Sequence, residues 1–259
     1  MAAVEERICD RRLLKLVRAM LRAGVMESGV VRHEVTGTPQ GGVMSPLLAN
    51  VYLHRLDRAW ETEGRGVLVR YADDLVALCR SRDEAEQALA LLRDLLGGLG
   101  LELKAEKTRI VHLTVGGEGL EFFGFEHRWV RSGRYAHIRF LARWPSRRAM
   151  QRARDRIREL TARSRLLVPT ERVVRDVNRF LRGWAGYFRY GNVARDFGKL
   201  RWYAALRLFL WWTKRQRWRH RWRTGRHSIA DRLGLLTLDG WVVAPRPNRP
   251  WRARSNAVR

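Results

Sequence analysis

Two apolar runs separated only by Asp73-Asp74 constrain this chain more than any other feature. Val67-Leu68-Val69-Arg70-Tyr71-Ala72 and Leu75-Val76-Ala77-Leu78-Cys79 are rich in branched and aromatic residues, the composition of strands. A break of two residues leaves room for little but a tight β-hairpin. Asp73 and Asp74 are the expected turn residues, because Asp tolerates the positive φ such turns ask for. Two carboxylates at one tip repel each other. At ~4 Å the repulsion is about 4 kcal/mol at an effective dielectric of ~20, and about 1 kcal/mol in open water. With apolar strands on both sides, the tip is expected to project from a buried sheet into a cleft, where solvent relieves little of that. A divalent cation is the natural remedy, since Mg²⁺ takes one or two carboxylates and completes its shell with phosphate oxygens and water. Taken alone, the pair suits a solvated turn as well.

The flanking pattern implies an α+β fold, an antiparallel sheet with helices on one face. Asp10 is expected to cap a helix whose Leu13, Leu14, Val17, Met20 and Leu21 share a face, ending at Gly24. Residues 30–36 suit a short strand, and 36–45 a Gly-rich loop holding Pro39. Pro46 opens a helix carrying Leu47, Leu48, Val51, Leu56 and Trp60. Ser81-Arg82-Asp83-Glu84 reads as a capping box for a helix stopped by Gly97-Gly98. Strands are expected around 101–104, 109–113, 120–125 and 135–141. After Pro145 the period turns helical. One helix is expected over Ala149–Leu160. A second, capped by Thr170, carries Val173, Val174, Val177, Phe180, Leu181, Trp184, Tyr187 and Phe188. A third runs from Ala194 past Trp218, and Leu235–Val243 suits a last hairpin around Asp239-Gly240.

Charge divides the chain. Lys and Arg number 52 against 26 Asp and Glu, a formal net of +26. Residues 1–145 hold 22 basic and 19 acidic residues, whereas 146–259 hold 30 and 7. The change implies three regions, 1–144, 145–225 and a basic arm over 226–259. Most of the cations are arginine, whose planar fork matches phosphate oxygens and stacks on bases, so nucleic acid is the expected partner. Cys9 and Cys79 stand apart from each other and from any His cluster, which excludes a zinc module and suits a reducing compartment. The most apolar stretch, Tyr203–Trp212, contains Arg207 and is too short to span a bilayer. The N-terminus lacks the pattern of a signal peptide, so a cytoplasmic location with no membrane partner is expected.

The Asp-Asp turn has company. Tyr71-Ala72-Asp73-Asp74 resembles the aromatic-x-Asp-Asp hairpin of reverse transcriptases. Upstream, residues 37–53, Gly37-Thr38-Pro39-Gln40-Gly41-Gly42 onward, look like that family's loop and helix. Downstream, Glu106-Lys107-Thr108 and Phe122-Phe123-Gly124-Phe125 resemble its following motifs. The basic region from Pro145 to about Arg223 resembles the maturase or thumb region of the group II intron subclass. The resemblance implies a partial polymerase palm followed by an all-α thumb. It implies RNA-templated DNA synthesis with Mg²⁺, from deoxynucleoside triphosphates, on a template-primer. Asp73 and Asp74 would be the metal ligands and catalytic carboxylates. Tyr71 and Ala72 would line the floor near the primer end and nucleotide, and Gln40, Gly41 and Gly42 would touch template and nucleotide. Lys107 would meet a phosphate, and Phe123-Gly124 would be the primer grip. In the tail, Lys214, Arg215, Arg217, Trp218, Arg219, Arg221, Trp222 and Arg223 mix cations with aromatics in a way that suits RNA. Trp184, Trp202, Trp211 and Trp212 read better as core.

A two-metal mechanism needs a third carboxylate from an earlier palm strand. The acidic residues before the loop are Glu5, Glu6, Asp10, Glu27 and Glu34, and none follows an apolar strand. The expectation is a chain truncated before the first catalytic Asp, or one that pairs with an upstream palm and fingers fragment, and marginal in stability by itself. The alternative is a catalytically inactive splicing cofactor that binds intron RNA.

Overall fold

The computed structural model describes residues 1–22, 25–27, 30–32, 44–133, 135, 137–215 and 226–243. Gln40, Gly41, Gly42, Arg217, Trp218, Arg219, Arg221, Trp222 and Arg223 lie outside the described residues. The chain is mixed helix and strand with small antiparallel sheets, an α+β composition. It divides into two compact units, Met1–Ile110 and Val111–Arg259.

In the first unit, α1 (Ala2–Glu5) and α2 (Arg11–Arg22) precede a short antiparallel pair, β1 (Val25–Glu27) and β2 (Val30–Arg32). Asp10 caps α2 as expected, its carboxylate accepting from the amides of Arg12 at 2.7 Å and Leu13 at 3.3 Å. Then come α3 (Ser45–Glu63), the hairpin β3 (Val67–Tyr71) and β4 (Asp74–Leu78), and α4 (Arg82–Gly98). Pro46 sits in the first turn of α3, where its missing N–H costs nothing. At α4 the Ser81 hydroxyl accepts from Glu84 N. The Glu84 carboxylate reaches back to the amide of Arg80 rather than Ser81, so the box is offset by one residue. Gly97-Gly98 do not stop α4 but belong to its last turn. The break comes at Gly100, whose φ of 69° lets Leu101 N return to Leu96 O. The core here is small: Leu53, Leu56 and Trp60 of α3 against Ala88, Leu92 and Leu96 of α4, with Leu68, Leu75 and Ala77 of the hairpin laid upon them.

Residues 101–104 and 109–113 form no strand, contrary to their alternation. Leu103 packs on the α3–α4 core without a ladder partner. The second unit opens with a three-stranded antiparallel sheet, β5 (Leu120–Phe122), β6 (Phe125–Arg131) and β7 (Arg139–Pro145). The single strand expected over 120–125 is thus a hairpin. Among the described residues four α-helices follow: α5 (Arg147–Leu160), α6 (Thr170–Phe188), α7 (Ala194–Arg215) and the short α8 (Arg226–Arg232). Thr170 is the first residue of α6 rather than its cap, which is Pro169. Leu235–Val243 turns at Asp239-Gly240 without forming strands, and Leu235 and Leu238 are buried against the helices. The helical core is the larger of the two. Ile157, Val173, Val177, Leu181, Val193, Leu200 and Leu208 are sealed within it, and Phe125 and Trp144 of the sheet pack on its edge. Trp211 is buried and Trp184 and Trp212 half-buried, but Trp202 is exposed, contrary to the core assignment. No helix among the described residues is long and apolar enough to cross a membrane.

Two cores of such different size imply different tolerance. Ile157→Ala should cost about 2–5 kcal/mol, because its surroundings are closed on all sides. Denaturant titration followed by helical circular dichroism measures it. Leu16→Ala, at a side chain more than half exposed, should leave the midpoint unchanged.

Candidate functional site

Each strand of the β3–β4 hairpin has one covered and one open face. Leu68 and Arg70, with their partners Ala77 and Leu75, face the helices. Val67, Val69 and Tyr71 are exposed on the opposite face, with Leu78. The tip therefore does not rise from a sheet buried on both sides. Pairing ends at Tyr71↔Asp74, so the two turn residues are Ala72 and Asp73, one position earlier than the sequence suggested. Ala72, not an Asp, takes the positive φ, at 53°. A left-handed alanine costs roughly 1–2 kcal/mol. Both Asp73 and Asp74 are exposed.

A guanidinium holds this turn in place. Arg70 donates from Nε to Asp57 Oδ1 at 2.7 Å and from Nη2 to Asp57 Oδ2, a two-pronged pair with α3. Its Nη1 donates to Asn50 Oδ1 at 3.0 Å and to the Ala72 carbonyl at 3.1 Å. Asn50 and Asp57 stand seven residues apart on one face of α3, as helical spacing requires. The Arg70 side chain is only 12% exposed and Asp57 31%. Charge-assisted, two-pronged bonds in such surroundings are the strong ones. They offset the left-handed alanine and set the direction in which Asp73 leaves the backbone. Sequence reasoning missed Arg70, although a charged residue on the covered face of an apolar strand was the visible signal.

Asp73 and Asp74 on an open turn fit one Mg²⁺ that keeps several waters, not a closed protein cage. No group of three His, Cys, Asp or Glu side chains suited to a metal occurs among the described residues. Lys107, in the same unit, lies in an exposed turn whose amides at 107 and 108 return to the Lys104 carbonyl.

Phe123 and Gly124 belong to the second unit and form the two-residue turn between β5 and β6. Their φ values are 51° and 73°, the double left-handed turn that hairpins favour. This turn is clamped from behind. Ser146, buried between β7 and α5, donates from its hydroxyl to Glu121 at 2.8 Å and from its amide to the Gly124 carbonyl at 2.7 Å. The same hydroxyl caps α5 by accepting from Ala149 N. Tyr187 of α6 donates to the Phe123 carbonyl at 2.9 Å. A Cβ on Gly124 would stand 3.7 Å from both Ala149 and Phe188, so helices crowd the turn.

At the end of α7 the two described tail residues differ. Lys214 is exposed. Arg215 is half-buried, donates to the carbonyls of Leu166 and Val168, and lies with its guanidinium carbon 5.6 Å from the Trp211 ring centre. It holds the 163–168 loop to the bundle.

Comparison with known proteins joins these pieces. The family model for "Reverse transcriptase (RNA-dependent DNA polymerase)" matches residues 2–141. That for "Group II intron, maturase-specific domain" matches residues 150–230. The chain is 29% identical over 184 residues to protein YkfC of Escherichia coli K12, a stretch that is 58% of this chain and 47% of that one. It is 46% identical over 52 residues to the group II intron-encoded protein LtrA of Lactococcus lactis, covering 20% of this chain and 9% of LtrA. It is 43% identical over 56 residues to an uncharacterized 91 kDa protein in the cob intron of Schizosaccharomyces pombe, covering 22% and 7%. The chain thus spans about half the length of the first relative and a small part of the other two.

Two outcomes follow from the geometry. Arg70→Leu should cost about 1.5–3 kcal/mol, because it strands a half-buried carboxylate and a turn carbonyl. In a double-mutant cycle with Asp57→Leu, read by urea unfolding, the two losses should be clearly less than additive. His127, half-buried on β6 opposite Arg143, has its pKa lowered by burial first and by that guanidinium second, against a raising effect of Glu126. The unfolded chain therefore takes up a proton near pH 6.5 that the folded chain refuses, so stability falls as pH drops below about 6.5. His127→Gln should flatten that part of a pH–stability curve.

Proposed function

Because the chain belongs to the reverse transcriptase (RNA-dependent DNA polymerase) family and a group II intron maturase-specific domain follows, we propose that it is the palm and thumb part of a group II intron reverse transcriptase/maturase. The observation that carries this reading is the Ala72-Asp73 turn held by Arg70, with Asp74 opening β4, ahead in sequence of a clamped Phe123-Gly124 turn and a basic helical bundle. In this reading Asp73 and Asp74 hold Mg²⁺. The ion supplies charge neutralisation for the phosphates and alignment of the primer 3′-hydroxyl with the leaving pyrophosphate.

The chain's own residues do the positioning. Arg70 holds the Ala72 carbonyl, so that Asp73 meets the metal without reorganising the turn. Tyr71, on the open face of the hairpin, and Ala72 line the floor beneath primer end and nucleotide. Gln40, Gly41 and Gly42, outside the described residues, would touch template and nucleotide, since glycine lets another backbone approach closely. Lys107 meets a phosphate of the nucleotide or template. Phe123-Gly124 presents its turn backbone to the primer, with Tyr187 and Ser146 fixing it from behind. Lys214 and the cations and tryptophans of 217–223 grip intron RNA. Arg215 contributes by holding the bundle together rather than by reaching out. The partners are intron RNA, template-primer and deoxynucleoside triphosphates, in the cytoplasm. The palm comprises 1–144, the thumb 145–225 and a basic arm 226–259.

The second reading is a splicing cofactor that binds intron RNA without polymerising. It is favoured by one observation, that no group of three His, Cys, Asp or Glu side chains suited to a metal occurs among the described residues. Primer extension on an RNA template with Mg²⁺ separates the two. On the polymerase reading the native chain extends the primer and Asp73→Ala falls to background. Extension by neither, with intron RNA still retained by both, would leave the cofactor reading.

A further inference from the structure

Helices α1 and α3 leave a cavity between them, in the first unit. Its volume is about 470 Å³, the size of a small-ligand site. One stripe of α3 forms a wall: Asn50, His54 and Arg58 stand four residues apart, with Arg55 beside them. This stripe turns away from Leu53, Leu56 and Trp60, which face the core. Glu6 and Arg7, just after α1, close the other side. The apolar part of the wall is only Ala3 and Val51, too little to hold an apolar ligand. Three guanidiniums against one carboxylate give the lining a net charge of +2, with His54 taken as neutral.

The fold makes little use of these cations. Arg7 donates from Nη2 to His54 Nε2 at 3.0 Å, and Arg55 is paired with Glu6. A guanidinium has five N–H donors, so both keep donors to offer. Arg58 is exposed, and its side chain bonds to no described residue. Asn50 gives its Oδ1 to Arg70, which leaves its amide N–H groups without a partner among the described residues. Arg55 and Arg58 are like charges at i,i+3, an arrangement that destabilises a helix. Asp57, the acid between them, is paired with Arg70 on β3 and does not offset them. An anion in the cavity would. The surroundings favour a short one. A long polyanion would also pass Glu5 on α1 and Glu61, three residues beyond Arg58 on α3. A phosphate group is compact, and its oxygens match the planar fork of arginine.

We infer that the cavity between α1 and α3 binds a small phosphate-bearing anion through Arg7, Arg55 and Arg58. The anion is an inorganic polyphosphate or the phosphate chain of a nucleotide, which share this chemistry. Binding here needs no metal and does not involve Asp73 or Asp74. The inference goes beyond the polymerase and cofactor readings and does not rest on either. Glu6 acts as a competitor, because its carboxylate occupies Arg55 where a phosphate oxygen would bind.

Titration of the full ¹⁵N-labelled chain with inorganic triphosphate, in EDTA and followed by amide shifts, tests it. A readout by residue separates this cavity from the other cations of a basic chain. Amides of residues 6–7 and 54–58 should shift together and saturate at lower concentration than any others. Arg7→Gln and Arg58→Gln should each weaken this saturation about tenfold, the low end for a bond to a charged group. Arg58 supports nothing else in the fold, so its variant stays informative if Arg7→Gln perturbs α1. Arg93→Gln, an exposed cation on α4 of the same unit, should change nothing. Glu6→Gln should tighten binding about three- to fivefold, the order of one surface charge interaction. Tighter binding of dATP than of inorganic triphosphate assigns the site to a nucleotide, and equal binding assigns it to an inorganic anion. Unchanged affinity in Arg58→Gln, or weaker binding in Glu6→Gln, overturns the site. So does saturation of amides at 71–75 or 147–215 before those at 54–58. Each of these results leaves the proposed function standing.

Discussion

The first unit depends on one guanidinium. Arg70 is mostly buried, always charged, and carries five N–H donors that need acceptors. It finds them on α3, through Asp57 and Asn50, and on the turn, through Ala72. This one side chain therefore joins helix to hairpin and fixes a left-handed residue beside the two carboxylates. Without it, the turn would lose its bonds to α3. The small α3–α4 core gives the platform, but it reaches the hairpin through Leu68, Leu75 and Ala77, not through the tip.

The second unit solves the same problem with neutral groups. Phe123 and Gly124 both take left-handed backbone, a demanding conformation for a bulky residue. Their carbonyls are held by Tyr187 and Ser146, and Ser146 also caps α5. Sheet and helices therefore share one hydrogen-bond junction, and the change of charge near residue 145 marks no linker. The apolar core beneath, aliphatic and aromatic, lets the helices carry arginine on their outer faces without disturbing the packing.

Much of this was legible in the sequence, for identifiable reasons. Two apolar runs with a two-residue break left no alternative to a hairpin, and a 3.6-residue period placed α5, α6 and α7. The turn position was off by one because face alternation is blind to it. Pairing Ala72 with Leu75 or Tyr71 with Asp74 turns Leu68, Arg70, Leu75 and Ala77 inward alike. The bonds of Arg70, contacts between residues distant in sequence, fit the second pairing. The strand run at 120–125 hid a turn because Phe122-Phe123-Gly124-Phe125 reads as continuous β composition. The alternation at 101–113 reports partial burial, which an extended segment lying on helices also produces. Trp202 was assigned to the core by spacing alone, and it is exposed.

The central claim is that the Ala72-Asp73-Asp74 turn is a preset metal site for phosphoryl chemistry. The most direct test is paramagnetic line broadening in the ¹⁵N-labelled chain. Substoichiometric Mn²⁺ should broaden the amides of Tyr71 to Leu75 first, excess Mg²⁺ should restore them, and Asp73→Asn should abolish the effect. Broadening elsewhere first, or broadening of the turn that survives Asp73→Asn, would contradict the account.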